Sequence, residues 1–568
     1  MNDIRRTILW VIFGFSMVLL WDQWQVHNGN KATFFPTPAQ QAKVTVDAAS
    51  AAPQPAGVPA PLALSGTVTV PSVETRAATK ELVQLETDVA KLSFDTEGGT
   101  LVRVELLKHA DEHKPGSNIV LLDDSKDRIY TAQTGLISST PGVVLATHKT
   151  VMTVHPGPRK LKDGDNTLSI TFESSTQNGV KLLKTYTVKR GAYDMTVKHD
   201  IVNTGSQDVA PQLYFQLVRD GNKPAGESSF YSTFTGPAIY TEAKKYQKVE
   251  FADIKKKKVD VEKHSSTGYI AMVQHYFASA WILPDGMSRD ISIDAVDIGA
   301  TLSDCCYRVT MISPLDAIQP GQTKSVTATF YAGPQEEKKL EVLYPGLELV
   351  KDYGWLTILA KPLFWLLHQL NNILGNWGWS IVSLVILLKA AFYWLNAHAY
   401  QSMAKMKAIN PRIMEMRERL KDNPQQMQME MMKIYREEKV NPMGGCVPIA
   451  LQIPVFIALY WVLLSTVEIR NAPWIGWIHD LSAPDPFFIL PLFMTLTTLL
   501  QTALNPAPPD PMQAKMMWIM PLAFSVMFFF FPAGLVLYWI TNNVLSIAQQ
   551  WLINIRMGVP PQFNLPKF

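Results

Sequence analysis

The chain has 568 residues, a formal net charge of +3 and 47% apolar residues. So small a charge, with no dense basic tail, excludes a nucleic-acid binder. The average conceals two unlike parts: residues 25–340 mix polar and apolar like a soluble domain, whereas 355–555 are dominated by long apolar runs. The three cysteines, Cys305, Cys306 and Cys446, say little about compartment. Neighbouring cysteines rarely close a good disulfide, and one pair is not a metal site.

In chain order, an apolar helix from Thr7 to about Trp24 follows Arg5 and Arg6. A cleaved signal peptide is one reading. The run ends in Leu-Leu-Trp-Asp-Gln-Trp without a small-residue cleavage pattern, so an uncleaved anchor over 1–25, with its N-terminus in the cytoplasm, fits better. Residues 26–80 form a linker, Pro- and Ala-rich between 36 and 71. Over 81–343 the pattern turns to period two, as in Thr167–Phe172, Leu183–Val188 and Ser325–Tyr331, which predicts a large β-sandwich. Lys255–Lys258 reads as a solvated loop or edge rather than a ligand patch. Gln335–Leu343 turns helical. Residues 344–376 then carry a broken apolar pattern, with Pro362 expected to bend it, and predict an amphipathic helix in the membrane interface rather than another helix of the sandwich.

Five further spans are expected near Trp377–Trp394, Gly444–Leu464, Phe487–Leu504, Met516–Phe531 and Leu535–Ile555, six with the anchor. The loop from His398 to Met443 carries nine Lys/Arg and that from Val467 to Pro486 only Arg470. The excess marks the first loop as cytoplasmic, which puts both termini in the cytoplasm and the β-domain outside. The fifth span, at roughly 24 Å, is shorter than a hydrocarbon core of about 30 Å, so local thinning is expected. The domain boundaries that follow are 377–397 for the second span, 398–443 for a cytoplasmic helical hairpin, 444–555 for the remaining four spans and 556–568 for a short cytoplasmic tail.

Within the second span, Lys389 interrupts an apolar run and lies roughly 18 Å past Trp377 along a helix. A lysine there costs about 2.5–3.5 kcal/mol on insertion scales, which makes it a functional candidate. Snorkelling to the cytoplasm is the plain alternative. Polar residues share its zone, among them Gln452, Thr498, Gln501 and Asn542, but no Asp or Glu occurs in any of the five C-terminal spans. They predict a positively charged, unpaired, hydrated pocket. The hairpin, read as Ala399–Leu420 and Pro424–Glu438, is rich in methionine, including Met403, Met406, Met414, Met427 and Met431. These either re-pack around apolar partners or pack the hairpin onto itself.

These features, with Tyr400-Gln-Ser-Met-Ala-Lys-Met406, Glu438-Lys-Val-Asn-Pro-Met-Gly-Gly-Cys446, Gln452-Ile-Pro-Val-Phe456, Trp477-Ile-His-Asp-Leu-Ser482, Asp510-Pro-Met512 and Phe531-Pro-Ala-Gly-Leu-Val-Leu-Tyr538, resemble the YidC–Oxa–Alb family of membrane protein insertases in its Gram-negative form. The resemblance covers essentially the whole chain. It implies a polytopic α-helical inner-membrane protein, a five-helix insertase core around a hydrophilic groove, and a periplasmic β-supersandwich. In the family the groove charge is usually Arg. Lys389 keeps the charge without the planar five-donor fork, so attraction is expected rather than bidentate pairing. Substrate contacts are implied at Phe456, Met494, Tyr538 and Trp539. Trp394 stands where relatives often have proline. A ribosome contact would have to do without the long basic tail of some relatives, since only Arg556 and Lys567 follow Ile555. The implied partners are nascent membrane proteins, the lipid bilayer and the general secretory translocon. No Walker-type loop, His-Glu-x-x-His or Gly-x-Ser-x-Gly motif is present, so no nucleotide, metal or other cofactor and no enzymatic activity is expected. A lipid or small-molecule transporter is the competing function, though the chain shows no repeated halves.

Overall fold

The computed structural model describes residues 81–558 and Phe563, apart from 112–113, 115, 225–232, 297–304, 421–422, 439–446 and 506–510. The expected anchor over 1–25, the linker over 26–80 and most of the tail lie outside the described residues. The described chain divides into two compact units. The first runs to Pro362 and includes Ala458–Asn471; the second comprises Leu363–Ile457 and the chain from Ala472 onward.

The first unit is built from two nine-stranded sheets whose strand pairings are antiparallel. Its strands form where apolar residues alternate: Val180–Lys189 buries every second side chain, as a strand covered on one face must. Pro211–Arg219, Tyr269–Gln274 and Phe277–Ile282 are buried along their whole length and lie inside their sheets. The outermost strands are Leu82–Glu86 and His264–Ser265 in one sheet, and Lys245–Lys248 and Met152–Val154 in the other. The sheets share one core, where Phe94 meets Phe172 and Tyr186, and Phe215 meets Trp281. Helix α1 (Phe251–Lys255) is a single turn whose trailing lysines, Lys255–Lys258, are exposed, as the solvated reading requires. Helix α2 (Glu337–Leu343) closes the sandwich.

Buried polar groups cluster beside this core. The fully buried Lys184 donates through Nζ to the carbonyls of Gly98 (2.7 Å) and Thr134 (2.6 Å). His199 Nε2 pairs with Thr134 Oγ1 at 2.9 Å, and His148 Nδ1 with the Tyr214 hydroxyl at 2.7 Å. The Tyr186 hydroxyl donates to Gly99 O at 2.8 Å. Gly98 has φ of +75°, and an added Cβ would strike the His148 backbone, so glycine is required there. Desolvation pushes the Lys184 ammonium down to about 7 and both histidines down to about 3. Segment Ala458–Asn471 is tied into this unit by His275 Nε2 against Leu464 O (2.9 Å), Arg470 on Ala110 O (2.8 Å) and an ion pair between Lys351 and Glu468 (3.4 Å).

The remaining helices are α3 (Thr357–Leu374), α4 (Trp377–Ala391), α5 (Tyr393–Arg419), α6 (Pro424–Glu437), α7 (Val447–Ser465), α8 (Ile489–Leu504), α9 (Pro511–Met527) and α10 (Ala533–Arg556). Helix α3 buries Ala360, Phe364 and Leu367 while Ile358, Trp365 and Ile373 are exposed, and it runs through Pro362 as one helix.

The apolar run Trp377–Trp394 is not one helix. Helix α4 stops at Ala391, and Trp377–Ala391 and Asn396–Met406 are bent by 68° from each other. The helix that continues into the hairpin begins at Tyr393. No Gly or Pro marks the break, so hydropathy ran on across it. Asn376 caps α4, its side chain accepting from Trp379 N. Asp485 caps the start of α8 by accepting from the N–H groups of Phe487 and Leu490. Among the described residues no single helix is both long and apolar enough to cross a membrane, but the bent pair meets that test together. Polar faces account for much of this. Helix α10, with 24 residues, carries Asn542, Asn543, Gln549 and Gln550.

Candidate functional site

The site grows from helices whose polarity is turned inward. On α8, Ile489, Leu492, Phe493, Leu496 and Leu500 recur at helical spacing and are exposed, whereas Met494, Thr497 and Thr502 are buried. The buried face of α10 bears Asn543, Ser546 and Gln550. The two faces meet: Asn543 Nδ2 donates to Thr498 Oγ1 at 2.9 Å and to Thr497 Oγ1 at 3.3 Å, and Gln550 Nε2 reaches Asn505 Oδ1 at 3.3 Å.

Lys389 lies in the last turn of α4, just before the 68° bend, and is half-buried. Its Nζ donates to Ser546 Oγ at 2.7 Å. The pocket expected to leave it unpaired therefore supplies one neutral partner. Among the described residues no carboxylate pairs with it, in keeping with the absence of acidic residues from the apolar runs. The Ser546 hydroxyl donates to Asn542 O at 2.7 Å and also pairs with Tyr400. Asn542 Oδ1 accepts from Gln452 Nε2 at 2.6 Å, which ties α10 to α7, and Gln452 also pairs with Tyr538.

Of the expected polar lining, Lys389, Gln452, Thr498 and Asn542 thus enter hydrogen-bonded chains that converge on α10. Gln501 is half-buried on α8, one turn past Thr498. Phe456 stacks on Tyr538 (centroids 5.8 Å) and meets Trp539 edge-on (4.7 Å). Met494 stands apart from that trio: it is buried, and its carbonyl and sulfur accept from Thr498 Oγ1 at 2.8 and 3.3 Å. The sequence places Asn543 and Ser546 among the polar residues of this zone, and Tyr400 within a motif, without singling any of them out as a site residue. The signal for Ser546 was its position four residues beyond Asn542, on the same helical face.

In the hairpin, Met406, Met427 and Met431 pack against a small core of Ile409, Ile413, Met416 and Ile434. They serve the hairpin's own folding, the plainer of the two readings. Met414, Met429 and Met432 are exposed. The side chain of Met403 lies outside the described residues.

Two protein-family models divide the chain between them. Residues 82–366 match the YidC periplasmic domain, and residues 369–559 match the 60Kd inner membrane protein. Sandwich and helices together therefore make an inner-membrane protein with a periplasmic domain. Full-length relatives bear the description membrane protein insertase YidC. That of Cupriavidus taiwanensis is 53% identical over 563 residues, 98% of each chain, and that of Janthinobacterium sp. is 49% identical over 574 residues, 98% of this chain and all of its own. Among solved structures, an active YidC insertase with its first transmembrane domain resolved is 19% identical, covers 84% of this chain and 92% of its own, and has a TM-score of 0.38. The chain belongs to the YidC family of membrane protein insertases, which are not enzymes.

Proposed function

We propose that this chain inserts nascent inner-membrane proteins by receiving their polar or acidic tails beside Lys389. The observation that carries the reading is an ammonium held among hydroxyls and amides with no counter-charge among the described residues. A permanent carboxylate would neutralise it; a passing one completes it. Gln452, Thr498, Gln501 and Asn542 keep the path wet. Phe456 and Trp539, half-exposed, offer the apolar segment a surface on its way to lipid; Met494 and Tyr538 are buried and would join it only once uncovered. Hydrophobic transfer drives the step, and the membrane potential adds about 2.3 kcal/mol per charge per 100 mV for an acidic tail moving outward.

The proposed topology has six spans, cytoplasmic termini and the β-domain in the periplasm, with domain boundaries as drawn from the sequence. The protein works alone or beside the general secretory translocon. The test is complementation of an insertase-depleted strain. Lys389→Ala should insert acidic-tailed substrates poorly and Lys389→Glu worse. Wild-type insertion of those substrates by Lys389→Glu would sink the electrostatic role.

A further inference from the structure

A lysine ends in a point charge on a flexible stem with three donors. At the last turn of a helix it has many conformers open to it. In this chain one contact selects among them, the 2.7 Å hydrogen bond to Ser546. The serine is itself held. Its proton goes to Asn542 O, four residues back, so its oxygen can only accept from the ammonium. Asn542 is in turn gripped by Gln452 from α7. Tyr400, beyond the bend, pairs with the same hydroxyl. Lys389 from α4 and Tyr400 from α5 thus meet one hydroxyl of α10, and Gln452 ties α7 to the side chain one turn before it.

Resting on the reading of Lys389 given above, we propose that Ser546 is the positioning residue for this lysine. It takes one N–H of the ammonium and leaves the other two for the carboxylate or water of an entering tail. Being neutral, it fixes the charge without cancelling it. An aspartate in its place would fix Lys389 equally well and abolish its attraction for acidic tails. The substrate class served is therefore segments whose translocated tail bears a carboxylate, in preference to neutral tails.

The experiment measures insertion of paired single-span substrates, one with an acidic tail and one with a neutral tail, by the full-length protein in proteoliposomes, normalised to the amount of reconstituted protein. Ser546→Ala should lower acidic-tail insertion about two- to fivefold relative to the neutral tail, the loss expected of one charged hydrogen bond that serves orientation. Ser546→Thr, which keeps the hydroxyl, should restore it. In a Lys389→Met background Ser546→Ala should cost nothing more. An equal loss for both substrates, or a double variant worse than Lys389→Met, would show a structural role and overturn the proposal. If Lys389→Met is impaired but Ser546→Ala is not, the positioning role alone falls. If Lys389→Met inserts both substrates like wild type, the reading of Lys389 falls and this proposal with it.

Discussion

Replacing Lys184 by methionine should erase a specific pH dependence of β-domain stability. Lys184 is fully buried, and its two recorded acceptors are the carbonyls of Gly98 and Thr134. A neutral amine has two N–H donors, which matches them. The ammonium brings a third donor and a charge to a place where the His148 and His199 rings feel its charge and no carboxylate among the described residues hydrogen-bonds to it. Burial accordingly pushes its pKa from 10.5 down to about 7. The sign follows from proton counting. Between those values the unfolded chain holds one proton more than the folded chain, so stability rises with pH by about 1.4 kcal/mol per pH unit. From about pH 8 to about pH 9.5 wild type should gain about 2 kcal/mol that Lys184→Met does not. Ionisation of tyrosines in the unfolded chain is common to both proteins and cancels in the comparison. The assay is urea unfolding of the β-domain within the detergent-solubilised full chain, read by pulse proteolysis at the two pH values. Parallel stability profiles for the two proteins would refute the argument, because they would mean that Lys184 is charged when folded.

Two further substitutions test the architecture. Arg289 is fully buried, and its guanidinium donates to the carbonyls of Gly268, Ser266, Pro284 and Met287 at 2.6–3.0 Å. Arg289→Met should destabilise the β-domain by about 3 kcal/mol, visible as a lower urea midpoint, since buried carbonyls lose their donor; an unchanged midpoint would show that the cage is replaceable. Gly378 on α4 lies against the Trp474 ring, which an added Cβ would strike. Gly378→Ala should therefore lower the thermal stability of the helical unit by about 1–3 kcal/mol and leave the β-domain's urea midpoint in place. Equal effects on both units would contradict their separation.

The β-sandwich was legible because alternation leaves a direct trace: Thr167–Ser174, Val180–Lys189 and Thr323–Pro334 are strands where period two ran. The helical unit was less so. Its apolar runs located the helices, yet the turn at Ala391 carries no Gly or Pro, and α5 begins without a break in hydropathy. At the site, composition alone flagged Lys389, since a lysine in an apolar run is anomalous. Its serine partner was hidden because a serine among asparagines and glutamines has no anomaly of its own. Only the packing of α10 against α4 separates Ser546 from its neighbours. The methionines teach the same lesson: one compositional run divides into Met406, Met427 and Met431, packed against the hairpin core, and Met414, Met429 and Met432, exposed, by faces that composition does not record.

The edges of the two sheets bear on the company such a protein keeps. Of the four outermost strands, His264–Ser265 has two residues, Met152–Val154 three, and Lys245–Lys248 four with a lysine at each end. The fourth, Leu82–Glu86, is bridged at its last residue by Lys160. Short, charged or covered rims offer little backbone for a foreign strand to join. A machine that handles chains before they fold meets extended polypeptide continually. Among the described residues, these rims leave the β-domain little open backbone onto which an extended chain could add.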